Sequence, residues 1–215
     1  MKKIVYIISF ILFSINLSGI EKDSSLVSEK KLYYNYVFSA GIEGYLDDWM
    51  LMTYGLAPFL GFEFSTNVSP VLDGIIELSV SRKKGSYGYS PGHGYDYFYQ
   101  YQYEWYDFTM FYEKIGLGLR LCDRRLGRRT PFLEGGLDAV FAKEWRAGYS
   151  VSGQAIGSHL AVGFWGNLHK DWIIQLKGRL QFLAIPIRTD NYYFDEYYHM
   201  DFSGVGISIG IGLSK

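Results

Sequence analysis

The side chains best suited to covalent chemistry are the adjacent pair Ser158-His159 and two further histidines, His93 and His199, which have serine or aspartate neighbours. A serine attacks an ester carbonyl only when a base within hydrogen-bond reach takes its proton. Neighbouring residues in a strand point to opposite faces, so Ser158 and His159 cannot form such a dyad directly. The serine and aspartate residues near His93 and His199 do not have a spacing from these histidines that is typical of a catalytic site. We therefore expect no catalytic residues and no enzyme.

Metal, cofactor and nucleic-acid chemistry also find little support. The single Cys122 excludes an intramolecular disulfide framework and a cysteine-based metal site. The chain has 21 basic and 22 acidic residues and a net charge of −1, so it offers no basic excess for a nucleic acid. We expect no cofactor, no metal site and no nucleic-acid partner.

The elements that carry these residues are predicted to be β-strands, because apolar and polar residues alternate with a period of two. In the first segment, Tyr34, Tyr36 and Phe38 share one face, and asparagine, serine and glycine share the other. Eight segments show the pattern: Leu32–Glu43, Thr53–Ser65, Gly74–Arg82, Trp105–Leu121, Pro131–Ala142, Gln154–Asn167, Trp172–Leu183 and Tyr198–Leu213. Glu113 departs from it by falling on the apolar face, which a bulge or a position near the rim would explain.

The first residues have the order of a secretory signal peptide. Two lysines precede the apolar run Ile4–Leu17, and the small residues Ser18 and Gly19 follow. We expect residues 1–19 to be a signal peptide, residues 20–31 a periplasmic lead-in, and residues 32–215 one folded domain.

The alternation fits a barrel in a membrane or a soluble lipocalin-like carrier with its apolar face inside. The membrane is favoured because one face is almost purely aliphatic and aromatic, whereas the other carries Gly, Ser, Glu, Lys and Arg. Predicted connections also alternate in length. The short ones are Asn67–Asp73, Cys122–Thr130 and Leu168–Asp171, and the long ones are Gly44–Met52, Lys83–Glu104, Lys143–Gly153 and Ala184–Tyr197.

From Leu32 to Leu213 the chain resembles the small eight-stranded outer-membrane β-barrel proteins. The resemblance implies an all-β fold, an antiparallel up-and-down transmembrane barrel, a bacterial outer-membrane location and both chain ends in the periplasm. It departs from many such proteins at the end of the last strand, where Leu213-Ser214-Lys215 replaces a terminal aromatic residue. Some barrels of this size resemble lipid A hydrolases or acyltransferases, which keeps a lipid A modifying enzyme as an alternative.

Acidic and basic residues occur in similar number on the inward face. An eight-stranded barrel is just wide enough for side chains to fill it, and charges inside must pair. We predict that a central network closes the lumen, formed by Glu63, Glu77, Arg120, Glu134, Lys177 and Arg179. The alternative is a narrow pore for small solutes or ions.

The most distinctive local feature is a tyrosine-rich segment, in which every odd position from Tyr95 to Trp105 is aromatic. That period predicts a hairpin arm beyond the membrane, and tyrosine gives large contact area at low entropy cost. We predict an extracellular binding surface formed by Tyr95, Tyr97, Tyr99, Tyr101, Tyr103, Trp105, Tyr192, Tyr193 and Tyr197. Alternatively, these rings pair across strands and lie at lipid headgroups.

The expected function is accordingly that of a non-enzymatic, monomeric barrel, structural or surface-binding. Its expected partners are outer-membrane lipid and a surface ligand, which would be a protein, a glycan or lipopolysaccharide.

Overall fold

The computed structural model describes residues 32–89, 104–122, 129–146, 149–169, 171–189 and 198–215. The folded unit is Tyr33–Lys215. The predicted signal peptide and the lead-in up to residue 31 lie outside the described residues. Among the described residues, no helix has the length and apolar character needed to cross a bilayer.

Ten strand segments and one short helix make up the described chain. They are β1 (Tyr34–Tyr45), α1 (Asp48–Tyr54), β2 (Ala57–Ser69), β3 (Leu72–Tyr89), β4 (Glu104–Cys122), β5 (Arg129–Arg146), β6 (Tyr149–His169), β7 (Trp172–Phe182), β8 (Ala184–Thr189), β9 (Tyr198–Asp201) and β10 (Gly204–Ser214). β8 continues the line of β7 after Leu183, and β10 continues that of β9 after Phe202 and Ser203. The ten segments therefore form eight barrel strands.

The sheet closes on itself through antiparallel pairs only. The order β5-β4-β3-β2-β1-β10-β7-β6 returns to its start because β5 also pairs with β6. The seam between the first and last strands is long, running from Asn35 opposite Ser214 to Tyr45 opposite Gly204. The predicted eight-stranded antiparallel barrel is confirmed.

The two faces of the wall are those predicted from the period of two. Leu60, Leu137 and Ile156 point outward and are 64%, 60% and 76% exposed. Inward positions alternate with them and are buried, because successive side chains of a strand lie on opposite faces. The belt of large apolar residues lies outside the cylinder, so the barrel is suited to lipid rather than to an internal apolar ligand.

The inward face of β10 consists of small residues, namely Gly204, Gly206, Ser208, Gly210 and Gly212. This is a packing requirement at the seam. A Cβ at Gly212 would collide with the carbonyl oxygen of Tyr36 and lie 2.9 Å from Cγ2 of Val37. The side chains of the first strand occupy the space that the last strand leaves free.

Several local predictions were wrong, and the predicted connections Lys83–Glu104 and Ala184–Tyr197 begin with strand residues, up to Tyr89 and Thr189. Thr53–Leu56 do not belong to a strand, because residues up to Tyr54 form α1 and β2 begins at Ala57. The predicted loop Lys143–Gly153 is strand on both sides, since β5 and β6 pair as far as Arg146 opposite Tyr149. That connection is therefore short, and the predicted alternation of long and short connections fails there.

Glu113 lies on the outer face without a bulge. It pairs in unbroken register with Val80 of β3 and Phe141 of β5, and its side chain is exposed. Of the two explanations from the sequence, the bulge is wrong, and the carboxylate lies one row from a charged part of the rim.

Candidate functional site: the closed lumen and the outer rim

The interior of the barrel is filled by ionisable side chains from the seven strand segments β1 to β7. All six residues predicted for the network are buried, and they are contributed by β2, β3, β4, β5 and β7. Asp138, His159, Lys114 and Glu43, which also have inward parity, are buried with them. The residues form three contacting tiers along the axis of the barrel, beginning at the rim that carries the chain termini.

Arg120 forms the first tier, at the terminal side. Its guanidinium group pairs with Glu63 at 2.7 Å and with Glu134 at 2.6 Å. The same group lies 4.2 Å from the ring centroid of Phe132 and 4.7 Å from that of Trp165. Arg120 is thus held by two carboxylates and two aromatic faces, an arrangement that a planar guanidinium satisfies better than an ammonium group.

Lys177 and Arg179 form the second tier. Lys177 Nζ lies 3.0 Å from Glu63 and 2.6 Å from Glu77, so it links the first tier to the next carboxylate. Arg179 donates from Nη1 to Glu77 at 2.7 Å and from Nη2 to both oxygens of Asp138 at 2.6 Å. The six predicted residues therefore lie in one connected set of ion pairs.

His159 lies at the edge of this set and is held by two acids. Its Nδ1 is 3.1 Å from Asp138 and its Nε2 is 3.4 Å from Glu134. Ser158 is exposed on the outer face, as its parity predicts, so the two adjacent residues do not face each other. His93 and the side chain of His199 lie outside the described residues.

Lys114 and Glu43 form the third tier and border a small cavity. Lys114 Nζ donates to Gln181 at 2.9 Å and lies 3.8 Å from Glu43, which also accepts from the Tyr112 hydroxyl. The cavity next to them has a volume of about 20 Å³ and is lined by charged groups together with Phe59 and Phe202. This volume suits about one water molecule.

An apolar plug follows on the side opposite the chain termini. It joins inward side chains of seven strand segments and the helix: Tyr45, Met50, Tyr54, Ala57, Phe108, Met110, Tyr112, Val140, Ala142, Val151, Leu183, Ile185, Met200 and Phe202. Sequence reasoning missed this cluster. The available signal was the run Phe108 to Tyr112, in which every residue except Thr109 is apolar or aromatic.

Helix α1 contributes the two side chains that complete the plug. Asp47 caps its start, with Oδ1 accepting from the Met50 amide at 2.8 Å. Met50 and Tyr54 are one turn apart, share a face and are fully buried. Gly55 ends the helix at a φ of 60°, which glycine adopts without steric cost.

The closed wall, the apolar belt outside and the paired charges inside together are the layout of an outer-membrane barrel. No protein-family profile matches the sequence, and no curated protein shows a significant match. Among solved structures, Neisserial surface protein A matches with a TM-score of 0.54 and 12% identity, covering 85% of this chain and 96% of that chain. The attachment invasion locus protein Ail of Yersinia pestis matches with a TM-score of 0.47 and 12% identity, covering 86% and 97%.

The chain has the fold of the small eight-stranded outer-membrane β-barrels. At these identities the likeness concerns the fold. The apolar belt outside the wall is what the predicted location in a bacterial outer membrane requires.

The barrel extends well past its apolar belt on the side opposite the termini. β3, β4, β5 and β6 have 18, 19, 18 and 21 residues, whereas a tilted strand crosses a bilayer in about 9–11. The pairing of β3 with β4 continues to Tyr89 opposite Glu104. The paired backbone therefore forms the base of the predicted hairpin arm.

Most of the predicted binding surface lies outside the described residues. This applies to Tyr95, Tyr97, Tyr99, Tyr101, Tyr103, Tyr192, Tyr193 and Tyr197. Trp105 is part of β4, opposite Gly88, and its side chain is not among those described.

Proposed function

We propose that the protein is a non-conducting, non-enzymatic barrel that anchors a surface-binding platform in the outer membrane. The observation that carries this proposal is the double closure of the lumen by the charged tiers and the apolar plug. Solutes would have to break buried ion pairs and then displace Met50, Tyr54 and Phe202. The elements suited to contact a ligand are instead the strand ends that project beyond the belt.

Single-channel recording in planar bilayers tests the closure. The purified barrel is expected to show no reproducible steps, because the network leaves no continuous aqueous path. A matched variant, Met50→Gly/Tyr54→Gly, removes the helix side chains from the plug but keeps the ion pairs, and it too is expected to stay closed. Reproducible conductance of the parent protein would instead support the runner-up function, a narrow pore.

Binding by the tyrosine-rich arm is tested with bacteria that display the protein, applied to an array of glycans and immobilised matrix proteins. Replacing Tyr97, Tyr99 and Tyr101 with Ser and deleting residues 91–94 is expected to abolish retention. The control replaces Tyr34 and Tyr36 with Ser, because these exposed rings lie at the opposite rim. Retention that the arm variant leaves unchanged, or no retention of the parent protein, would contradict a binding role for the arm.

A further inference from the structure

Three outward-facing cations cluster on two strands separated by β4, at the rim opposite the termini. They are Arg82 and Lys84 of β3 and Lys143 of β5, and all three are exposed. Among strand residues whose side chains the structure describes, these are the outward-facing lysines and arginines. Their concentration in one part of the rim indicates a local function rather than general solubility.

The strand register brings the three cations together. Arg82 is opposite Phe111, which is opposite Lys143, and in the next row Lys84 is opposite Thr109, which is opposite Trp145. Neighbouring strands are about 4.8 Å apart and alternate residues about 7 Å apart. The long side chains of all three cations can therefore reach one group of phosphate size.

Aromatic and apolar groups lie between and below the cations. Phe111 is half-buried between Arg82 and Lys143. A shallow cleft beside it is lined by Arg82, Thr109, Phe111 and Trp145. Lys143 Nζ lies 5.1 Å from the Trp145 ring centroid. Tryptophan is favoured at the boundary between acyl chains and headgroups, so the position of Trp145 places its row, which includes Lys84, at headgroup level.

In the row nearest the membrane belt, one acidic residue has an apolar neighbour on each side. Val80 and Phe141 flank Glu113 there, and Asp107 lies one row beyond Lys84 on the other side. In the described part of the chain, neither acid lies within ion-pair distance of the three cations. The cations are thus available to an external anion whose apolar part lies against the belt.

We infer that Arg82, Lys84 and Lys143 form a docking site for the phosphorylated headgroup of a membrane lipid. The phosphate meets the three cations, and the acyl chains continue along Val80 and Phe141 toward the apolar belt. Cations near a membrane surface each add to the attraction of anionic lipid, and Arg or Lys at the interface costs little compared with the bilayer centre. This inference is independent of the binding role proposed for the tyrosine-rich arm.

Native mass spectrometry of the folded protein in detergent, titrated with bisphosphorylated lipid A, tests the site. The variant Arg82→Gln/Lys84→Gln/Lys143→Gln is expected to weaken binding at least about tenfold. The matched control Glu113→Gln changes one charge of opposite sign in the same patch and is expected to bind as well as the parent or better. Lipid A without phosphates is expected to bind the parent no better than it binds the triple variant.

Heat-modifiable migration on gels verifies that each variant is folded. If the triple variant fails to fold, the single changes Lys84→Gln and Lys143→Gln replace it, each with an expected loss of about threefold. Equal binding of lipid A by the parent and the folded variants would overturn the inference. Equal binding of phosphorylated and dephosphorylated lipid, or full competition by inorganic phosphate at the same concentration, would do so as well.

Discussion

Replacing Arg120 with Met is expected to destabilise the barrel strongly while leaving its outer surface unchanged. Arg120 is fully buried and neutralises Glu63 and Glu134 at 2.7 and 2.6 Å. Methionine keeps an unbranched chain against Phe132 and Trp165 but removes the charge. Two buried carboxylates then share the remaining cation, Lys177.

The size of the effect follows from the contacts that remain. Breaking a buried ion pair by removing one partner costs about 3–5 kcal/mol. Lys177 stays 3.0 Å from Glu63 but is 3.6 Å from Glu134, so the second carboxylate is the less compensated one. We expect the free energy of unfolding of Arg120→Met to fall by about 4 kcal/mol.

The measurement is reversible urea unfolding in lipid vesicles, followed by tryptophan fluorescence and by gel migration. The double variant Arg120→Met/Glu134→Gln keeps the net charge of the network and is expected to recover about 2 kcal/mol relative to the single variant. Arg120→Lys retains the charge without the planar fork and should be intermediate. A single variant within about 1 kcal/mol of the parent, or strictly additive effects in the double variant, would refute the reasoning.

Three further predictions concern packing, depth in the membrane and the helix cap. Gly136→Ala should destabilise the barrel by about 1–3 kcal/mol in the same unfolding assay, because the added Cβ would collide with the Leu117 carbonyl oxygen. Gly74→Ala is the control and should be nearly neutral, because the nearest atom to its Cβ is a methyl carbon of Val68 at 3.5 Å. Leu137→Lys at the exposed belt should lower the free energy of unfolding by about 2–4 kcal/mol, whereas Glu113→Lys at the rim should lower it by about 0–1 kcal/mol. Equal effects of the two changes would contradict the assigned position of the belt. Asp47→Ala should cost about 1 kcal/mol and increase proteolysis at α1, which mass spectrometry of the fragments detects.

The strands and their faces could be predicted because a lipid-facing wall imposes a strict period of two on the sequence. The same period put Glu63, Arg120 and Lys177 on one inner surface. What it could not supply was their depth along the axis, which depends on the stagger between strands. The register of the described strands brings these three side chains within hydrogen-bond distance.

The helix and the plug could not be predicted in this way because two patterns overlap. Tyr54 and Leu56 continue the alternation of the following strand, yet Tyr54 is also four residues after Met50, a helical spacing. The helix prevails because Asp47 caps it and Gly55 ends it. The sequence predicts a loop around Arg146 because the alternation of apolar and polar residues does not continue there, yet strands that extend beyond the bilayer need no apolar face.

The small residues inside β10 have a consequence for assembly. The charged groups of the interior belong to the sheet from β1 to β7, and the strand that completes the cylinder adds none to them. The ion pairs of Lys177 and Arg179 with Glu63 and Glu77 join β7 to β2 and β3 across the lumen, so the sheet has to curl before these ions are neutralised. The pairing of β10 with β1 adds only glycine, serine and backbone amides to the interior. The last strand therefore contributes main-chain hydrogen bonds to closure and no charge of its own, and the costly burial of charge is compensated by the pairs that curling brings together.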